Sequence, residues 1–148
     1  ATLHMAAHRG MEVVVLRPDA YALPPAVMDK ARRAAAASGG SVSETSDRAA
    51  AMKGATVLYA KEWGSAAHYG DAEAEKRLRK DLQDWCVDEP WFAPAAPDCR
   101  LMHCLPARRN VAITDAVLDG PRSIVLREAY NRMPAQMAVL YRLLKHSS

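Results

Sequence analysis

Glu12-Val13-Val14-Val15-Leu16 is the stretch on which the fold turns. It is short, β-branched and apolar on both faces, the pattern of a strand buried in a parallel sheet rather than one with a wet side. Pro18 ends it, and Pro24-Pro25 then opens an alanine-rich helix to about Ala37, where Ser38-Gly39-Gly40 stops the periodicity. Ser41 to Thr45 reads as a short polar edge strand. Asp47 caps a brief helix that Gly54 ends, and Thr56 to Ala60 is a second buried strand. A charged helix is expected from Ala72 to Trp85, then a proline-interrupted stretch, then a strand from Leu101 to Cys104. Thr114 is expected to cap a short helix through Leu118. Ser123 to Leu126 reads as a further strand, and Ala135 to Lys145 as a final helix with Pro134 in its first turn. Strands alternating with helices predict an α/β domain with a three-layer, doubly wound parallel sheet.

At 148 residues and 50% hydrophobic content the chain has the size of one domain with a substantial core. Twenty basic residues against 17 acidic ones give a net charge of only +3, without a basic stripe, which argues against nucleic acid as a partner. Cys86, Cys99 and Cys104 form no CxxC pair, as expected of reduced thiols in a cytoplasmic protein. No apolar run reaches the roughly 20 residues of a membrane span. Residues 1 to 8 read as an amphipathic helix entered partway along, so the sequence is expected to be a fragment of a longer chain whose first sheet strand is missing.

Three loops follow three expected strand ends: Lys61 to Asp71, His103 to Asn110, and Arg127 to Arg132. In an open parallel sheet all three fall on the carboxyl edge, where ligands bind. His103 and Cys104 are a thiol and a base, but neighbours on an extended segment point to opposite sides, which disfavours a direct pair. A zinc site from His68, Cys99, His103 and Cys104 lacks the usual spacing. A buried strand end with a packed thiol and a hydrogen-bonded histidine remains an equal alternative. Leu105 before Pro106 leaves a backbone acceptor open for an amide NH2. Arg108, Arg109 and Arg132 suit anion recognition through paired hydrogen bonds, and Lys61, beside Trp63 and Gly64, can hold a carboxylate or acyl oxygen.

His103-Cys104-Leu105-Pro106, the run Thr114 to Ser123, and Asn131-Arg132-Met133 with Gln136 together resemble the C-terminal half of the aspartate and ornithine carbamoyltransferases. Ala107 to Val111 and Tyr59-Ala60-Lys61-Glu62-Trp63-Gly64 are most similar to the branch acting on N-acetyl- or N-succinylornithine; the Ser-Met-Gly loop of enzymes for free ornithine is not present. The resemblance implies carbamoyl transfer from carbamoyl phosphate to the δ-amine of an acylornithine, without metal or organic cofactor. It implies reaction-site roles for His103, Cys104, Leu105 and Arg132, with the Cys104 and Leu105 carbonyls receiving the carbamoyl NH2. It places Lys61, Trp63 and Arg108, with Cys104 and Leu105, around the acylornithine. A separate N-terminal carbamoyl-phosphate domain, with a Ser-Thr-Arg-Thr-Arg segment that these 148 residues lack, and a homotrimer complete the expectation. Without that domain the fragment is expected to be inactive; the alternatives the resemblance leaves open are a carbamoyltransferase for free ornithine and a non-catalytic binding homologue. Two departures stand near Arg132: Pro134 where relatives usually carry histidine, and Tyr130 where they carry glutamate.

Overall fold

The computed structural model describes residues 1–62, 64 and 68–145. The chain divides into two compact units, residues 1–53 with 63–85, and residues 54–62 with 86–148.

In the first unit, helix α1 (Thr2–His8) leads into strand β1 (Glu12–Leu16), then α2 (Pro25–Ser38), β2 (Ser41–Thr45) and α3 (Arg48–Met52). β1 and β2 pair in parallel, with Val13 opposite Val42 and Leu16 opposite Thr45. Pro25 occupies the first turn of α2, where its missing donor costs nothing, and Gly39 closes the helix in the left-handed conformation at φ +79°. Gly40 answers a different need. A Cβ there would sit 2.5 Å from the Met11 carbonyl oxygen, so only glycine lets β1 and β2 start side by side. Met28, Ala31 and Ala35 of α2 are buried with Ala6 and Ala7 of α1, and the small residues let the two helices approach closely. Asp47 caps α3 as expected, its Oδ1 accepting the Ala50 N–H at 3.0 Å. Helix α4 (Ala72–Lys80) is shorter than the sequence suggests. It is capped by Asp71 and followed by a separate turn of 3₁₀ helix at Gln83–Trp85.

In the second unit, strands β3 (Val57–Ala60) and β4 (Arg100–His103) pair in parallel, Ala60 opposite His103. Between them the prolines yield a 3₁₀ turn, Glu89–Phe92, rather than a helix. The core gathers Phe92, Cys99, Leu101, Ile113, Val117 and Val125. Leu101 and Ile113 are wholly enclosed; burial of such a side chain stabilises by about 1.5–3 kcal/mol. The α/β class and the parallel pairing are as the periodicity predicts, with the strands forming one two-stranded ladder in each unit.

Three expectations need correction. Ser123 to Leu126 is not a strand: Ser123 makes one bridge to Leu101, the Ile124 N–H donates to the Leu101 carbonyl at 3.0 Å, and Val125 already begins a helix. The run is divided between one bridge and the start of a helix in which Val125 is buried and Leu126 is exposed. The last helix is therefore α6 (Val125–Lys145), 21 residues long with Pro134 in its interior rather than its first turn. Leu126, Tyr130, Met133, Met137, Leu140 and Tyr141 line one side of it and are all exposed. Thr114 stands before α5 (Asp115–Leu118), but its Oγ1 is buried without a hydrogen-bond partner among the described residues. The start of α5 is held instead by Asn110, whose Oδ1 accepts the Asp115 N–H at 3.0 Å.

Candidate active site

Because β3 and β4 are parallel and in register through Ala60 and His103, the residues that follow them emerge side by side at one edge. Lys61 and Glu62 continue from β3, and Cys104 and Leu105 continue from β4. The Lys61 ammonium donates to Cys104 Sγ at 3.2 Å. Glu62 reaches further along the second segment, where its Oε1 accepts the Arg108 N–H at 2.7 Å and its Oε2 accepts from Arg108 Nε. Two of the three loops expected at the carboxyl edge thus meet, and they bring together Lys61, Cys104, Leu105 and Arg108. Trp63 lies outside the described residues.

Among the described residues His103 is the one polar side chain buried in the core, 1% exposed. Its Nδ1 accepts the Leu105 N–H at 3.0 Å. Burial pushes its pKa below the ordinary value of 6.5, with the Lys61 charge acting in the same direction and the Glu62 and Glu128 charges opposing. The ring is therefore neutral at pH 7, and since Nδ1 is an acceptor its proton sits on Nε2. Nε2 is buried without a hydrogen-bond partner among the described residues, and Glu62 Oε1 is 3.9 Å away. His103 shapes the Leu105 turn from beneath rather than facing solvent.

Burial raises the pKa of the Glu62 carboxyl, but the bonds from the Arg108 backbone and guanidinium, and the Arg108 charge, together hold it below the usual range. Glu62 is therefore an anion. The Leu105 backbone lies at φ +50°, and the Leu105–Pro106 peptide is cis. Among the described residues, no hydrogen bond reaches the carbonyl oxygens of Cys104 or Leu105. The edge therefore offers two open backbone acceptors, an ammonium and the Arg108 guanidinium, whose Nη atoms have no hydrogen-bond partner among the described residues.

Arg132 does not join this group through a strand-end loop. It lies eight residues into α6 with an exposed side chain, because the helix begins at Val125. The residue of α6 that does reach the site is Glu128. Its Oε1 accepts from the Tyr59 hydroxyl at 2.8 Å and its Oε2 accepts the His103 N–H at 3.0 Å, so one carboxylate fastens β3 and β4 just before their functional ends. Glu62 and Glu128 were not legible as site residues. Each is an acid beside basic residues, the usual mark of a solvated surface, and the only signal was Glu62 lying two residues past an apolar strand.

Arg109 is also spent internally, bonded to Asp115 at 2.7 Å and to Asp119 at 2.6 and 2.9 Å. Its pKa is raised by these bonds and both aspartates are lowered, so Arg109 ties the loop to α5 rather than awaiting an anion. Among the described residues no three His, Cys, Asp or Glu side chains converge as a ligand set for a metal. A surface concavity of about 330 Å³, lined in part by Asp19, Asp81 and Trp85, belongs to the first unit and contains none of the predicted site residues.

Residues 1–143 match the family model of the aspartate/ornithine carbamoyltransferase Asp/Orn binding domain. The chain belongs to the aspartate/ornithine carbamoyltransferase family. It is 40% identical over 148 residues to N-acetylornithine carbamoyltransferase of Xanthomonas campestris pv. campestris, covering 99% of this chain and 43% of that protein. It is 41% identical over 136 residues to ornithine carbamoyltransferase of Methanosarcina mazei, covering 92% of this chain and 43% of that protein. Among solved structures, an N-acetyl-L-ornithine transcarbamylase variant complexed with carbamyl phosphate and N-succinyl-L-norvaline superposes with a TM-score of 0.86. That match is at 40% identity and covers 95% of this chain and 42% of the other. The chain thus spans less than half the length of the curated relatives it matches. Identity does not separate the acetylornithine from the ornithine enzymes in this transcarbamylase domain, so the choice between them rests on the site.

Proposed function

We propose that this domain binds the second substrate of an acylornithine carbamoyltransferase. In the complete enzyme, carbamoyl phosphate carbamoylates the δ-amine of N-acetylornithine or N-succinylornithine in arginine biosynthesis. The observation that carries this reading is the parallel edge itself. Lys61 stands 3.2 Å from Cys104, beside carbonyls that accept no other hydrogen bond among the described residues. An amine whose α-nitrogen is acylated has lost that nitrogen's positive charge, and Lys61 and Arg108 supply cations for the acyl oxygen and the carboxylate that remain. The relatives add support, since the solved neighbour above holds carbamyl phosphate and a succinylated amino acid.

In the proposed reaction the δ-nitrogen forms a bond to the carbamoyl carbon, the bond from that carbon to the phosphate oxygen breaks, and the proton shed by the amine leaves with phosphate. The Cys104 and Leu105 carbonyls accept the carbamoyl NH2 and set the carbon in line with the amine, a contribution of position rather than of covalent chemistry. His103 supports the Leu105 backbone from its buried site, Lys61 and Arg108 orient the acylornithine, and the Cys104 thiol is a bystander. Arg132 is retained only by the family resemblance as a contact to carbamoyl phosphate. Trp63 is assigned to the acylornithine on the same ground.

The partners we propose are a carbamoyl-phosphate domain in the same polypeptide and two further copies in a cytoplasmic homotrimer. The exposed apolar stripe on α6 supports a covering surface in the complete protein. No helix among the described residues is long and apolar enough to cross a membrane. The 148 residues alone are expected to turn over nothing, because the Ser-Thr-Arg-Thr-Arg segment that the resemblance assigns to the phosphate is not in their sequence. The test is the complete enzyme with carbamoyl phosphate and, in turn, ornithine, N-acetylornithine and N-succinylornithine. Turnover of an acylated amine is expected, and a preference for free ornithine would overturn the reading.

A further inference from the structure

The group at the edge that the proposed reaction does not use is Glu62. It is an anion placed among the cations that should receive an anionic substrate, and a carboxylate there needs a reason. Its geometry supplies one. Glu62 takes the Arg108 N–H at 2.7 Å and the Arg108 Nε, the inner nitrogen of the guanidinium. That grip fixes the plane of the guanidinium and leaves Nη1 and Nη2, unbonded among the described residues, as an outward fork on a side chain 41% exposed. The same carboxylate faces the buried His103 Nε2 at 3.9 Å. With His103 neutral, Lys61, Arg108 and Glu62 leave the strand-end loops a single net positive charge, the Glu128 carboxylate being engaged by the Tyr59 hydroxyl and the His103 N–H.

We propose that Glu62 is a positioning residue that sets the specificity of this site: it aims the Arg108 fork at one substrate carboxylate and repels a second. The inference rests on the acylornithine reading and extends it to a choice within that class. One net positive charge matches an acyl group without charge, as in N-acetylornithine, and leaves the terminal carboxylate of a succinyl group opposite an anion. Glutamine at this position would still accept the Arg108 N–H, but its amide NH2 would meet Arg108 Nε donor to donor, releasing the fork and removing the negative charge. Aspartate would keep the charge and loosen the grip.

The experiment compares the complete enzyme with its Glu62→Gln and Glu62→Asp variants, using carbamoyl phosphate with N-acetylornithine or N-succinylornithine, with thermal unfolding run alongside. The wild type should favour the acetyl substrate. In E62Q the KM for N-acetylornithine should rise, with kcat and the KM for carbamoyl phosphate little altered. The ratio of kcat/KM for succinyl over acetyl substrate should rise by roughly tenfold, the scale of one charge interaction at a partly exposed site. E62D should keep the wild-type preference. The inference is overturned by an unchanged ratio in E62Q, by E62D behaving as E62Q does, or by an equal loss of kcat on both substrates with a lowered Tm. If the wild type turns over N-acetylornithine and E62Q leaves the ratio unchanged, only this inference fails; if it turns over neither acylated amine, the functional reading fails with it.

Discussion

Replacing Glu128 by alanine should loosen the site from its foundation, because one carboxylate holds both strands that carry it. The Tyr59 hydroxyl donates to it at 2.8 Å and the His103 N–H at 3.0 Å, both partly buried. A hydrogen bond to a charged group contributes about 1.5–3 kcal/mol, and its loss leaves the His103 N–H, at the end of a buried strand, without its acceptor. Counting two bonds, and discounting for water that reaches the Tyr59 hydroxyl, gives a loss of about 3 kcal/mol. At about 2–4 °C per kcal/mol for a domain of this size, the transition of this domain should fall by roughly 6–12 °C. The assay is thermal unfolding of the complete protein, with hydrogen exchange at the His103 amide as a local readout. Tyr59→Phe removes only one of the two bonds. The double variant should therefore lose less than the sum of the singles, since phenylalanine has nothing left to give the carboxylate. A Tm within 1 °C of wild type, unchanged exchange at His103, or strict additivity of the two substitutions would refute the clamp.

Two pH windows follow from the same residues. The His103 pKa is depressed in the folded state, so the unfolded chain binds the proton more tightly; stability should decline as pH falls below the ordinary value of 6.5 and level off below the folded value. His103→Asn, which can still accept the Leu105 N–H, should flatten that limb of a Tm-against-pH curve, and an undiminished slope would count against the buried neutral ring. The Glu62 pKa is also lowered, so its contribution is present above its ordinary 4.5 and disappears as pH falls through the folded value. E62Q should remove this second, more acidic limb and leave the first intact.

The bounds of the strands were legible nearly to the residue, but not their burial: Val14 of β1 and Val57 of β3 are 37% and 48% exposed, because each strand pairs with a single neighbour among the described residues. Val13 to Val15 and Val57 to Tyr59 are short apolar runs rich in β-branched and aromatic residues, and punctuation by Pro18, Gly39 and Gly54 bounds the neighbouring elements. The meeting of Lys61 with Cys104 was legible as well, since parallel strands put their carboxyl ends on one edge. Ser123 to Leu126 misled because a serine followed by three apolar residues suits a short strand and the first turn of a helix equally, and so Arg132 lies on α6 rather than in a strand-end loop. Pro134 compounded it, since proline is normally a helix starter and here lies inside α6. Thr114 was a fair cap by type, yet Asn110 took the role because its φ of +57° turns its amide back onto Asp115. Glu62 and Glu128 stayed hidden for a different reason. Their partners, Arg108 and the His103 N–H, are 46 and 25 residues away, and no local pattern encodes such a contact.

The central claim is that the carboxyl edge of β3 and β4 receives the acylated amine through Lys61. The most direct measurement is steady-state kinetics of Lys61→Met in the complete enzyme, varying each substrate in turn. The KM for the acylornithine should rise by roughly tenfold or more, as for loss of one charge-assisted hydrogen bond, with the KM for carbamoyl phosphate unchanged. A KM for the acylornithine equal to that of the wild type, or a rise confined to carbamoyl phosphate, would contradict the account.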